Sequence, residues 1–566
     1  MTESKFWKKS WDPGLDDLDP KSWEISYVDA IRPTLEKYGD KAAMSFMEIE
    51  ISFRDLDRYS NRFAHMLIAN GLKKGDVVGI NLPNIPEYVI AWLGTLKAGC
   101  AVSGVSPLLS ADELKHQLSD ANAKALVTLD AIFAARVTQV APDLPSLQVI
   151  ATTSVGGFLP SYKRFLGQLL GKIPKGKITP IDTKTIIPFK TILKSKEYSE
   201  QPPNISVSPD DIAYIQYTGG TTGPPKGAML SHRNVMADVL IIQAWLNWGE
   251  GQGLALSGFP FFHIAGLFFN INCVYLGWTQ VLIPDPRNTD HICKQIEKYR
   301  PTALANVPSL YYLLLNNPKF KQLDHSKLEA AVSAAAPFPE ESQREIEKII
   351  GQGKLVEAYG MTETSPLTIV NPYRGKKKLG HIGLPLLNTD VKLLDTTTGE
   401  PVEIGKAGEI CVKGPQVMVG YLNKPEETKK AIDEDGYMHT GDVGIFDEEG
   451  YIKIVDRTKD MINVSGFKVF SKKVEEVMTA HPAIDMIATI GVLNPDNPGS
   501  ETVKAYVTLS PDYSFDGDQE KLKADILKFA KEKLAPYEVP KIIEIRDELP
   551  LTAVGKIDKK ELRKEK

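Results

Sequence analysis

From Gly251 to Pro284 the chain runs for 34 residues without a single Lys, Arg, Asp or Glu. A bilayer needs only about 20 consecutive apolar residues for one helical span, so a run this long either crosses a membrane or is withdrawn from water. Gly258, Pro260, His263, Asn270, Asn272 and Gly277 break it into pieces too short to span a bilayer as one helix. It is therefore read as a buried strand, a loop and a helix.

The surroundings support a globular α/β interior. In 566 residues, 67 Lys+Arg stand against 72 Asp+Glu, and the net charge of -5 gives no global field suited to nucleic acid or an anionic membrane, so no nucleic-acid partner is expected. Cys100, Cys273, Cys293 and Cys411 lie far apart with no C-x-x-C pair, which suggests neither a disulfide framework nor a zinc site and fits a reducing compartment. The opening MTESKFWKKSWDPGLDDLDP lacks the apolar h-region of a secretory leader, so a cytoplasmic location is expected.

Between Ile51 and about Ile150, short apolar strands alternate with helical spacing. Phe63, Met66 and Leu67 predict a helix over 60–70, DVVGIN a buried strand at Asp76–Asn81, and the next stretch a helix over Tyr88–Ala98. Ala213–Gln216 reads as a strand before a Gly/Thr loop. Leu328–Ser333 reads as a strand before a helix opened by Pro339, with Ile346, Ile349 and Ile350 on one face. From about residue 388 the wording changes to short β runs (VKLLD, GEICVKG, YIKIVD) divided by Gly and Asp turns. After Lys459 a Lys-rich tail follows, with helices expected after Ser471 and around Leu522–Leu534. The polar turn at Arg457–Lys459 sets the expected boundary between a domain over 1–458 and a smaller one over 459–566.

A second stretch stands apart from this pattern. Pro160–Lys177 carries five bases, no acids and several large apolar residues. Both a solvated surface insertion and a basic amphipathic segment resting on anionic lipid fit it, and Gly167, Gly171 and Pro174 oppose a long regular helix.

Chemistry concentrates in YTGGTTGPPKG at Tyr217–Gly227. Gly219, Gly220 and Gly223 let backbone N–H groups converge on an anion, Thr218, Thr221 and Thr222 add hydroxyls, and Lys226 adds positive charge, which together describe a polyphosphate cradle. It is not a Walker A loop, because Gly227 rather than Ser or Thr follows the lysine.

With FPFFH at Phe259–His263, SAAAP at Ser333–Pro337, YGMTE at Tyr359–Glu363, HTGD at His439–Asp442, DRTKDMINVSGFKV at Asp456–Val469 and PLTAVGK at Pro550–Lys556 in the same order, the chain resembles the adenylate-forming acyl-CoA synthetases. That family shares its fold with luciferases and peptide-synthetase adenylation domains, and the resemblance covers nearly the whole chain. It implies a large N-terminal domain of sheet-and-helix subdomains plus a small mobile α+β C-terminal domain. The implied reaction activates a medium- to long-chain fatty acid with ATP and Mg²⁺ to an acyl-adenylate, then transfers it to CoA, releasing AMP and pyrophosphate.

Residue roles follow from the same resemblance. Lys556 and Glu363 are catalytic, and Thr218 and Glu363 face the metal. Thr218, Gly219, Gly220, Thr221, Thr222, Gly223, Lys226 and Thr362 hold phosphates. Glu357, Ala358, Tyr359, Asp442 and Arg457 hold adenosine. Lys459 is the hinge. His263, Ala335 and Gly360 border the acyl pocket, which the uncharged run walls with Phe259, Phe261, Phe262, Phe268, Phe269 and Trp278. Ser465, Gly466 and Phe467 meet the pantetheine arm of CoA.

The general chemistry is consistent with these roles: a tyrosine can stack an adenine, one carboxylate with substrate phosphates suits Mg²⁺, an aspartate can accept both ribose hydroxyls, and a lysine can stabilise charge on an attacking carboxylate. Three positions depart from the family pattern. Gly219 stands where Ser is more frequent, Glu357 where a neutral amide is common, and alanines replace glycines in SAAAP. A luciferase-like oxidase, an enzyme acting on aromatic or short-chain acids or loading a carrier protein, and a non-catalytic lipid-binding or uptake protein stay open, as do membrane contact through 160–177 and a homodimer.

Overall fold

The structure is a computed structural model that describes residues 5–218, 224–465, 467–494, 500–511, 513–515, 517–551 and 557–564. Contacts divide the chain into two compact units, one made of residues 7–390 and 412–438, the other of 1–6, 391–411 and 439–566.

Two extended sheets build the larger unit. In the eight-stranded sheet, Ile212–Thr218, Ala101–Gly104, Val77–Asn81, Ala125–Leu129, Val149–Thr153 and Thr185–Pro188 lie side by side, with Lys226–Ser231 and Gly420–Tyr421 beyond Ile212–Thr218. The strands from Ile212 to Thr185 pair in parallel. Parallel pairing requires crossovers, and the helices Phe53–Ala69, Pro86–Lys97 and Ala111–Asp120 belong to that layer arrangement. Every residue of Val77–Asn81, of Ala125–Leu129 and of the helix Pro86–Lys97 is buried. The 60–70 periodicity captured the inner half of a helix that starts at Phe53, where Ser52 caps the N-terminus by accepting from the Asp55 N–H.

The nine-stranded sheet contains the uncharged run. Leu254–Ser257 lies between Thr279–Leu282 and Ala303–Asn306, parallel to both, and the helix Ile264–Tyr275 makes the crossover. Strand, loop and helix thus occur where expected, and among the described residues no helix is long and apolar enough to cross a membrane. Several of the run's polar groups are bonded inside the protein. Asn84 donates to the Phe259 carbonyl (2.8 Å) and accepts from Phe261 N–H (2.8 Å), Tyr88 donates to the Phe261 carbonyl (2.7 Å), and Gln280 donates to Asn270 (3.1 Å). The loop 258–263 is therefore pinned by side chains from the eight-stranded sheet's layer.

The smaller unit contains a four-stranded sheet of Asp390–Leu394, Ala407–Lys413, Met438–Phe446 and Ile452–Arg457, a hairpin Ile462–Val464/Phe467–Val469, and a three-stranded sheet of Ile484–Leu493, Glu501–Leu509 and Ile542–Arg546. Glu501–Leu509 and Ile542–Arg546 are parallel, joined through the helix Gln519–Lys533. That helix and Ser471–Thr479 bury Val474, Met478, Leu522, Ile526 and Ala530 against Ile487, Val503 and Val507. The sheet at 391–411 and 439–457 groups by contact with this unit, upstream of the turn at 457–459. Asp456 makes part of that link, accepting from the Ser471 N–H and hydroxyl.

The basic insertion forms a nine-residue helix, Ser161–Leu169. Tyr162, Phe165, Leu166, Leu169 and Leu170 are exposed, between 49% and 70% of their surface remaining accessible. Gly167 faces the buried Ile173, where a Cβ would come within 2.6 Å of Cδ1, so the helix packs closely on the residues that follow it in the insertion.

Candidate functional site

The phosphate candidates at Gly219, Gly220, Thr221, Thr222 and Gly223 lie outside the described residues, as do Gly466 and Lys556. Their flanks are well defined. Thr218 ends one strand and Lys226 begins the next, and the two stand opposite each other in the antiparallel register. The Thr218 hydroxyl donates to the Lys226 carbonyl at 3.4 Å.

Lys226 Nζ lies 4.2 Å from the centroid of the Tyr421 ring and 3.5 Å from a Glu427 carboxylate oxygen. The Tyr421 hydroxyl donates to Glu363 Oε1 at 2.6 Å. Burial, and then the Glu363 carboxylate, push the Tyr421 phenol well above its ordinary pKa, so it remains a donor throughout the physiological range. Glu363 and Thr362 are themselves buried, in a short 3₁₀ turn Thr362–Thr364 after the strand Leu355–Gly360. Lys226 and Glu363 are thereby linked through Tyr421, a residue that the sequence reading did not single out. Its only sequence signal is a Gly–Tyr pair in VGYLNKP.

Glu357, Ala358 and Tyr359 lie along Leu355–Gly360, all three buried. Glu357 pairs in register with Ser333, and its carboxylate accepts from Gln343, whose side chain also donates to the Phe338 carbonyl (2.7 Å) and accepts from Gly380 N–H (3.2 Å). A charged residue where the family pattern has an amide is thus held by an amide donor from the helix Glu340–Ile350.

Ala335 follows the strand Ala330–Ser333 and adopts φ +69°, a left-handed conformation that costs a non-glycine residue about 1–2 kcal/mol. At Gly360 an added Cβ would sit 1.8 Å from the Pro366 carbonyl oxygen, so only glycine fits. His263 caps the helix Ile264–Tyr275, its Nδ1 accepting from Ala265 N–H at 3.3 Å. That acceptor role places a neutral imidazole's proton on Nε2.

The expected aromatic wall is divided. Phe261 packs on Tyr88 (centroids 5.5 Å) and Trp278 on Trp248 (4.8 Å), with the Trp278 indole N–H on the Gly249 carbonyl (2.8 Å). These two rings are held in core contacts. Phe262 and Phe269 keep part of their surface free.

In the smaller unit, Asp442 and Arg457 face each other across paired strands, Arg457 Nε lying 3.2 Å from the carboxylate. Asp442 follows Gly441 at φ +71°. Burial first, and then the neighbouring Arg457, draw the Lys459 ammonium down to about 8. Asp460 beside it pairs with Arg563 (2.6 Å). Ser465, at φ +51°, turns the hairpin with its N–H on the Ser500 hydroxyl (2.8 Å), and the exposed Phe467 stacks on Tyr537 (4.7 Å).

The chain is similar to known proteins over nearly its whole length. The family model of AMP-binding enzymes matches residues 31–422, and that of the AMP-binding enzyme C-terminal domain matches 473–556. A long-chain-fatty-acid–CoA ligase of Bacillus subtilis (strain 168) is 41% identical over 534 residues, covering 94% of this chain and 92% of the relative. Its namesake in Escherichia coli O157:H7 is 38% identical over 557 residues, covering 97% and 96%. Among solved structures, ATP-bound MatB from Rhodopseudomonas palustris superposes with a TM-score of 0.81 at 28% identity, covering 95% of this chain and 99% of that one. The anthranilate CoA ligase AuaEII with anthranoyl-AMP, at 24% identity and a TM-score of 0.82 over 97% and 98% of the chains, shares the fold.

Proposed function

The chain belongs to the AMP-binding enzyme family, and we propose that it is an AMP-forming ligase that joins a long-chain fatty acid to CoA through an acyl-adenylate. The observation that carries this reading is identity of 35–41% to long-chain-fatty-acid–CoA ligases over nearly the whole chain. Identity at this level over nearly the whole chain does not favour the luciferase-like, carrier-loading and non-catalytic alternatives.

Mg²⁺ is assigned to Glu363 with the hydroxyls of Thr218 and Thr362. One carboxylate with neutral oxygens suits a hard cation that takes most of its remaining ligands from phosphate and water, and the Tyr421 hydroxyl holds that carboxylate in place by donating to it. Bound there, the ion supplies neutralising charge to the ATP phosphates. Lys226 adds a second positive charge at the loop mouth, oriented by the Tyr421 ring.

Adenosine is assigned to Tyr359, Ala358 and Glu357 on the strand Leu355–Gly360, with the ribose hydroxyls on Asp442 and Arg457. The fatty tail is assigned to the space bordered by His263, Ala335 and Gly360. Lys556 stabilises the charge that develops as the carboxylate attacks the α-phosphate. The C-terminal part then turns about Lys459, which brings Ser465, Gly466 and Phe467 to the pantetheine arm while Lys556 withdraws.

The same reading extends to where the enzyme works. The apolar residues exposed on Ser161–Leu169, together with Lys163, Arg164, Lys172, Lys175 and Lys177, form a surface that suits an anionic lipid bilayer, the phase in which the substrate dissolves.

The two half-reactions separate the roles. Lys556→Ala should slow pyrophosphate release by roughly 10²–10³-fold, as expected for one lost electrostatic stabiliser. Thioester formation from supplied acyl-adenylate should be largely preserved. Equal loss in both steps would refute the division of labour.

A further inference from the structure

No cysteine spacing in the sequence suggested a metal site, yet the four-stranded sheet of the smaller unit assembles a mixed one. Glu409 and Cys411 are two residues apart on Ala407–Lys413 and so project to the same face. His439, on the adjacent strand Met438–Phe446, meets both. Its Nδ1 is 3.0 Å from Glu409 Oε2 and 3.5 Å from Cys411 Sγ, and one donor atom from each residue lies within 4.8 Å of the other two.

We propose that Glu409, Cys411 and His439 form a binding site for a borderline-soft divalent cation of the zinc class. Tetrahedral zinc with ordinary bond lengths puts sulfur and nitrogen ligands about 3.6 Å apart, and nitrogen and oxygen about 3.3 Å apart. The observed 3.5 and 3.0 Å match those edges with little adjustment. A single proton on Nδ1 can serve either the carboxylate or the sulfur, whereas a cation between them engages all three donors. Cys411 is fully buried, but Glu409 and His439 retain 17% and 30% side-chain exposure, which gives the ion its entry and a fourth, water-held position. Binding releases the thiol proton to solvent, so affinity falls as the pH drops.

The site has a consequence for catalysis that rests on the proposed adenosine role of Asp442. Glu409 Oε1 accepts the Gly441 N–H at 3.1 Å, immediately before Asp442. Drawing Glu409 onto a cation pulls on that turn. Zinc therefore acts as an inhibitor that raises KM for ATP, while Mg²⁺, a hard oxygen-seeking ion, does not compete for the thiolate.

The test uses the full-length protein stripped with EDTA and titrated with zinc against a chromophoric chelator, beside Cys411→Ala and Cys411→Ser. The expected result is one zinc withheld per wild-type chain, with affinity at least roughly 100-fold lower in both variants. Cobalt should give a near-ultraviolet thiolate-to-metal band in the wild type alone. Thermal melts of the stripped proteins establish that the variants fold. Equal retention of zinc by wild type and Cys411→Ala, or none by either, would overturn the site. Zinc binding that leaves KM for ATP unchanged would overturn the link to Asp442. Should no acid release pyrophosphate at all, the proposed reaction fails while the chelator titration still decides the site.

Discussion

Two stretches of this chain look lipid-directed in sequence, and the fold disposes of them in opposite ways. Gly251–Pro284 has no charge and is folded inward as strand, loop and helix, with the Phe259 and Phe261 carbonyls held by Asn84 and Tyr88 and Gln280 bonded to Asn270 within the run. Pro160–Lys177 has five bases, yet it leaves Tyr162, Phe165, Leu166, Leu169 and Leu170 exposed. Greater hydrophobicity marks the part least in contact with solvent or membrane. The apolar side chains left outside sit on a nine-residue helix with no buried residue, among Lys163, Arg164, Lys172, Lys175 and Lys177.

Charge insertion gives the largest contrast. Leu267→Lys places an ammonium at a fully buried position in the helix Ile264–Tyr275 and should cost about 4 kcal/mol or more, a large share of a domain's stability. Leu169→Lys, on a side chain 70% exposed, should change stability by no more than about 0.5 kcal/mol. Urea denaturation of both variants checks the pair, and similar costs would erase the distinction.

The pH response gives a second contrast. The root of the exposed helix contains a buried carboxyl, Glu87, which accepts from the Thr153 hydroxyl (2.9 Å) and packs against Gly157. Burial pushes Glu87 up from 4.5 to about 7. The native state therefore binds this proton more tightly than the unfolded chain, so the stabilisation is complete below the unfolded value and disappears as pH rises through 7. Between about pH 5 and pH 8.5 the loss is on the order of a few kcal/mol. Glu87→Gln should remove that slope, and an unchanged slope in the variant would show that the proton sits elsewhere. The uncharged run has no carboxylate or ammonium to produce such a response.

Membrane affinity gives the smallest effect. Phe165→Ser and Leu169→Ser should each weaken partitioning to vesicles containing anionic phosphatidylglycerol by roughly tenfold, with stability preserved. Added salt should weaken wild-type partitioning as well. Binding that ignores both substitutions would assign the helix to solvent alone.

Much of the fold was legible because burial leaves a periodic trace. Val77–Asn81, the helix before Lys97, and the strand–loop–helix of the uncharged run all follow from apolar spacing and Gly/Pro interruptions. The early turns of Phe53–Ala69 escaped notice because Arg54, Asp55, Asp57 and Arg58 surround the buried Phe53 and Leu56 and leave only two apolar positions there. Motif residues marked the candidate site, but the contacts among them did not show. Tyr421, which joins Lys226 to Glu363, comes from a two-residue strand far along the chain, and a single tyrosine has no periodicity. The grouping of 391–411 with the C-terminal residues was equally hidden, since a polar turn records where a strand ends and not which sheet a strand joins. Cys411 looked isolated because its neighbours, Glu409 and His439, share no spacing motif with it.

In the proposed ATP-dependent ligase the uncharged run walls a site for a long fatty tail. Pyrophosphate release and CoA thioester formation measured together across straight-chain acids from C2 to C18 test it most directly. The account predicts that both products appear together and that kcat/KM rises towards the long chains. A preference for acetate or benzoate, or pyrophosphate release without thioester, would contradict it.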